Sequence, residues 1–244
     1  LSQERGIKDE DPRTVSELEE YKNEIDLYLN NYLLEWSDPG NSENIFIRDG
    51  VILDDIASVG SLSKIMSEEL FKYFNKTMIV NNELINKRKL SGPMIKARKE
   101  IIDELLLSDR LKPYLGYKEL STNYTFVRSS LGLNGILVEN EICILDKNID
   151  TKRLANVYHI MNEIDNFIKR SKNEEVDFYE IIDTLKSEPY GLRDGYITVL
   201  IAAALRNYKD YIFIKLKGKD QEISGELFEY INKNPKYYSL IIDN

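Results

Sequence analysis

His159 is the only histidine and Cys143 the only cysteine in the 244 residues, so the common side-chain chemistries have few places to reside. A Ser-His-Asp or Cys-His couple needs an imidazole to move the proton and would have to be built on His159. That residue sits between Tyr158 and Ile160 in an apolar-periodic run with no nucleophile motif beside it, the setting of a packing or surface residue. Zinc held by protein thiolates or imidazoles needs several at short spacing, and neither Cys-x-x-Cys nor His-x-x-x-His is present. A phosphate cradle needs glycines that let backbone N–H groups close on the ligand. Neither Gly-x-Gly-x-x-Gly nor Gly-x-x-x-x-Gly-Lys-Ser/Thr occurs, and Gly218-Lys219 lacks both the earlier glycine and the hydroxyl. Metal-dependent nucleases gather carboxylates at strand ends. The nearest fragments, Asp54-Asp55 and Glu20-Tyr21-Lys22, fall at an expected helix start and on an expected solvated helix face. No catalytic group, cofactor or metal is therefore expected, and an unrecognised carboxylate site is the remaining enzymatic reading.

Cations offer a second kind of chemistry, the neutralisation of phosphates. No acid lies between Leu84 and Lys99, while Lys87, Arg88, Lys89, Lys96, Arg98 and Lys99 do, with Asn81, Asn82 and Asn86 as neutral hydrogen-bonding neighbours. Lys215, Lys217 and Lys219 alternate along a second segment and could touch phosphates from a turn. These nine residues are the candidate nucleic-acid contacts; the competing reading is a solvated face or ion pairing with acids elsewhere. The 16 tyrosines fall mostly at core spacing, as packing residues and not a stacking platform.

The elements that position these residues follow from periodicity and breakers. Val15, Leu18, Tyr21, Ile25, Tyr28, Leu29, Tyr32 and Leu33 recur at three- and four-residue steps from Thr14 to about Trp36, an amphipathic helix stopped by Ser37-Asp38-Pro39-Gly40. It is either a connector or partner-binding helix or an ordinary helix packed on the body. Ile45–Leu53 is either a short hairpin around Asp49-Gly50 or one turn-interrupted strand leading to helix Asp54–Val59; helices Ser61–Phe74 and, after breakers at Asn81–Asn86 and Gly92-Pro93, Pro93–Leu107 follow. The middle is irregular, with expected strands at Tyr124–Val127 and Ile142–Leu145. A long helix runs from about Thr151 to Arg170, followed by helix Phe178–Leu185, a turn at Pro189–Gly191, helix Asp194–Asn207, strand Tyr211–Lys215, a turn at Gly218–Asp220, helix Gly225–Asn232 and strand Tyr237–Ile242. That is the order of a winged helix with one early strand unrecognised. Its second helix carries Tyr196-Ile197-Thr198-Val199-Leu200-Ile201-Ala202-Ala203-Ala204-Leu205, too apolar to read a DNA groove.

The expected fold is mainly α with small β hairpins, α+β, in three parts: an acidic tail and helix over 1–43, a helical, winged-helix-like domain over 44–150, and a C-terminal winged-helix-like domain over 151–244. The net charge of −9 is uneven, since residues 1–43 hold 4 Lys/Arg and 12 Asp/Glu and leave 29 basic to 30 acidic residues in the body. A lone cysteine fits a reducing, cytoplasmic setting. No apolar run is long enough to span a bilayer. The start at Leu1, with no signal-peptide pattern, reads as a piece of something longer.

Glu188-Pro189-Tyr190-Gly191-Leu192-Arg193-Asp194-Gly195 followed by Tyr196–Leu205, then Phe228–Tyr238, resembles the region downstream of the nucleotide-binding domain in large bacterial P-loop ATPases, including those of phage-exclusion defence. Asn81–Arg98 is similar to an earlier helical element of that region, and the matches together cover about half of the chain. The resemblance implies a helical and winged-helix scaffold of a multidomain protein in anti-phage defence or DNA transactions. The partner implied is a protein or the rest of the ATPase, with nonspecific DNA contact possible. The family's Walker motifs are missing, so ATPase activity does not carry over. A stand-alone nucleic-acid-binding winged-helix regulator is the alternative.

Overall fold

The computed structural model describes residues 17–28, 45–53, 56, 58–143 and 152–243, in two compact units, Leu1–Lys72 and Tyr73–Asn244. The division lies at 72/73, whereas breakers and charge place it near 43 and 150. Its physical reason is a single cluster of buried side chains drawn from described residues between Met78 and Ile242, on both sides of residue 150.

In the first unit, residues 17–28 form helix α1. The rest of the expected Thr14–Trp36 helix, and Asp54-Asp55 of the expected Asp54–Val59 helix, lie outside the described residues. Strands β1 (Ile47–Arg48) and β2 (Val51–Ile52) resolve the two readings of this segment in favour of the hairpin, with Asp49 and Gly50 both at positive φ, 52° and 80°. Two consecutive left-handed residues match the twist of the strands they join. Helix α2 (Val59–Tyr73) begins at Ser58 and Ser61, whose hydroxyls each accept a hydrogen bond from the other's backbone N–H.

The second unit opens with α3 (Glu83–Asn86), capped by Asn82, and α4 (Gly92–Leu107), with Pro93 in its first turn. Next comes α5 (Thr122–Val127), where a strand is expected from the β-formers Tyr124, Thr125, Phe126 and Val127. Ser121 decides the outcome by accepting the Tyr124 N–H at the helix start, and packing against α4 buries Phe126 and Val127. A π-helical turn, Arg128–Gly132, continues it, with the Asn134 amide donating to the Ser129 and Ser130 carbonyls. Strands β3 (Leu137–Val138) and β4 (Glu141–Ile142) form a second hairpin.

Helix α6 (Lys152–Ser171) is followed by β5 (Val176–Asp177), α7 (Phe178–Lys186), α8 (Asp194–Leu205), β6 (Ile212–Leu216), β7 (Lys219–Gln221), α9 (Gly225–Lys233) and β8 (Tyr238–Ile242). Strand β5 stands where the winged-helix order lacked one. The antiparallel sheet runs β5-β8-β6-β7, so the last strand inserts between the first and the β6-β7 hairpin, pairing Ile214 with Leu240 and Val176 with Leu240. Helix α8 fills the centre, with 10 of its 12 residues buried and α4, α6, α7 and α9 packed around it. A helix apolar on nearly every face is stable only when enclosed in this way.

Candidate interaction surfaces

The cations read from the sequence fall into three settings. Lys87, Arg88 and Lys89 lie in the loop between α3 and α4, exposed and without an ion pair to any described residue. They are a phosphate-accessible group. Lys96, on the exposed side of α4, approaches Glu100 at 3.7 Å.

Arg98 and Lys99 have a different task. The Arg98 guanidinium is buried, donating from Nε and Nη2 to the Glu229 carboxylate at 2.6 and 2.7 Å and from Nη1 to the Asp194 and Gly195 carbonyls at 2.8 and 3.3 Å. Lys99 pairs with Glu226, which raises the lysine's pKa and lowers the glutamate's. One turn further on, Asp103 accepts the Gly225 N–H at 2.6 Å, satisfying a free donor at the start of α9. Gly225 itself lies so close that a Cβ there would overlap the Lys99 carbonyl, and a Cβ at Gly195 would overlap that of Ile85. Arg98, Lys99 and Asp103 thus clamp α4 onto α9 and onto the first turn of α8. A buried, fully engaged guanidinium cannot reach a phosphate, so Arg98 leaves the candidate set, and Lys99 is committed to Glu226. The signal lay in the spacing: Arg98 shares the inward face of α4 with Met94, Ile101 and Leu105.

On the β6-β7 hairpin, Lys215 donates to Glu175 at 3.1 Å and Ser239 donates to the other oxygen of that carboxylate, which together hold Glu175 below its ordinary pKa. Lys217 lies over the Tyr237 ring at 4.7 Å, and Lys219 is exposed in β7. On this hairpin Lys217 and Lys219 are the exposed cations.

His159 is half-buried in α6 with its ring edge-on to Tyr158, and no group of three or more His, Cys, Asp or Glu able to hold a metal occurs among the described residues. A polar cleft of about 410 Å³ is lined by Asp109, Arg110, Asn140, Glu141, Arg206 and Asn207, together with Leu111 and Ile142. Its Arg206 is spent on the carbonyls of Leu105, Ser108 and Asp109 at the end of α4. No described helix is long and apolar enough to cross a membrane.

The first unit presents the other kind of surface. Of its described apolar side chains only Ile56 and Leu62 are buried, while Tyr21, Ile25, Leu27 and Tyr28 on α1, Ile47, Val51 and Ile52 on the hairpin, and Met66, Leu70 and Phe71 on α2 are exposed. Periodicity gives the amphipathic helices but does not tell whether their apolar faces are covered. Contiguous exposed apolar area is characteristic of interaction surfaces, and these side chains are the first unit's candidates for one. No protein-family model, curated protein or solved structure matches the chain.

Proposed function

We propose that the chain is a non-catalytic interaction and scaffold region of a larger multidomain bacterial ATPase, of the kind that acts in anti-phage defence or DNA transactions. One observation carries the reading: the segment that bears the family likeness, Glu188–Leu205, is architecture. Its helix α8 is enclosed on all sides, Arg193-Asp194-Gly195 receives the α4–α9 clamp through two backbone carbonyls, and Thr77 and Lys76 hydrogen-bond to the Tyr190 and Pro189 carbonyls at the preceding turn. A segment used in this way serves a body that holds others in place, and the uncovered apolar faces of the first unit supply the contacts. The test is whether the purified chain forms a complex with the Walker-bearing polypeptide encoded in its own reading frame or beside it. Turnover of ATP by the chain alone would count against the proposal.

The second reading, nonspecific nucleic-acid contact, is favoured by the exposed, unpaired run Lys87-Arg88-Lys89 with Lys96 close by in sequence and Lys219 on the wing. Phosphate neutralisation by such a group makes affinity fall steeply with salt. Binding that ignores ionic strength would exclude it.

A further inference from the structure

The uncovered face of α1 has a register that names its occupant. Leu18, Tyr21, Ile25 and Tyr28 follow one another at steps of three, four and three residues, the a and d positions of a heptad repeat, and are 37%, 64%, 57% and 69% exposed. Apolar side chains left exposed along a described helix face gain stability when a partner covers that seam. Charge then discriminates between partners. Helix α1 carries Glu17, Glu19, Glu20, Glu24 and Asp26 against Lys22 alone, which at first sight repels a second copy. In the heptad register, however, Glu19, Glu20 and Asp26 occupy b and c, pointing away from a two-stranded seam. The residues that flank the seam are Glu17 and Glu24 at g and Lys22 at e. In a parallel pair g of one helix meets the following e of the other, which sets Glu17 against Lys22 twice by symmetry. In an antiparallel pair g faces g, setting Glu17 against Glu24, and e faces e, setting Lys22 against itself.

We propose that α1 pairs with α1 of a second copy of this chain as a short parallel coiled coil, with Leu18, Tyr21, Ile25 and Tyr28 in the seam and Glu17–Lys22 contacts across it. The pairing goes beyond the scaffold reading and fails separately from it, since a monomeric chain can still dock on an ATPase. A seam of these four side chains gives a weak, concentration-dependent dimer.

Sedimentation equilibrium of the full 244-residue chain from micromolar to near-millimolar concentration tests it. The expected result is a monomer–dimer equilibrium that Ile25→Asp weakens by at least about tenfold, because an apolar seam residue is lost. Lys22→Glu weakens it as well, and Glu17→Lys combined with Lys22→Glu restores it. All three positions are exposed, so the thermal midpoint of the chain at dilute, monomeric concentration serves as a folding control and stays unchanged. A chain that is monomeric at the highest concentration, a dimer indifferent to Ile25→Asp, or a double charge swap no better than Lys22→Glu alone would each overturn the proposal.

Discussion

Arg98 and Glu229, 131 residues apart in sequence, meet as a two-pronged ion pair at 2.6 and 2.7 Å with both side chains almost wholly buried. The pair joins α4 to α9, and the remaining guanidinium nitrogen ties both to the first turn of α8. Removing one partner leaves the other charge buried without compensation. Arg98→Ala or Glu229→Ala is therefore expected to cost about 3–5 kcal/mol in urea unfolding. Arg98→Met with Glu229→Leu, which removes both charges and keeps the volume, is expected to be more stable than either single variant.

Gly225→Ala and Gly195→Ala each place a methyl group against a backbone carbonyl, of Lys99 and Ile85 respectively. Backbone cannot move aside as a flexible side chain does, so each is expected to destabilise by about 1–3 kcal/mol or more. Gly92→Ala, with open space at the same atom, is the control. Thermal melts of the three variants decide the point.

Stability should fall in alkali. Burial raises the Tyr190 and Tyr196 phenols to about 12, with the Glu163 carboxylate adding to the first, whereas the unfolded chain loses these protons near 10. The folded state holds the proton more tightly, so the contribution is fully present below pH 10 and is lost as pH rises from there to about 12. On the acid side the sign reverses. Glu175, held below its ordinary 4.5 by Ser239 and Lys215, contributes above that value, and the contribution disappears as pH falls through the lowered one. Thermal midpoints across pH should show both limbs, with Tyr190→Phe making the alkaline one shallower.

Reversing the charges of Lys87, Arg88 and Lys89 together separates exposed cations from structural ones. The triple variant is expected to change stability by less than about 0.5 kcal/mol, as surface substitutions do, where Arg98→Glu unfolds the chain. If DNA is bound through this loop, each lost phosphate contact lowers the slope of log affinity against log salt by about 0.9. Fluorescence anisotropy with a duplex of arbitrary sequence measures it.

Much of this architecture is readable from residue order. Helices α4, α6, α8 and α9 follow from apolar spacing, and Asp49-Gly50 marks its hairpin. What escaped depends on contacts distant in sequence. Strand β5 is two residues long and exists because β8 pairs with it. Helix α5 has the composition of a strand and is decided by Ser121 and by α4. Arg98 looks like one of six neighbouring cations until the inward face of α4 is drawn. The boundary near 150 disappears because α4 belongs to the same core as α8 and α9. The apolar faces of α1 and α2 are evident in the sequence, but their exposure is a property of the fold.

Co-sedimentation of the chain with the Walker-bearing polypeptide encoded in its reading frame or beside it tests the scaffold account most directly. The account predicts a complex of fixed stoichiometry in which all ATP turnover belongs to the other component. No complex with that polypeptide, or ATP turnover that follows this chain through purification, would contradict it.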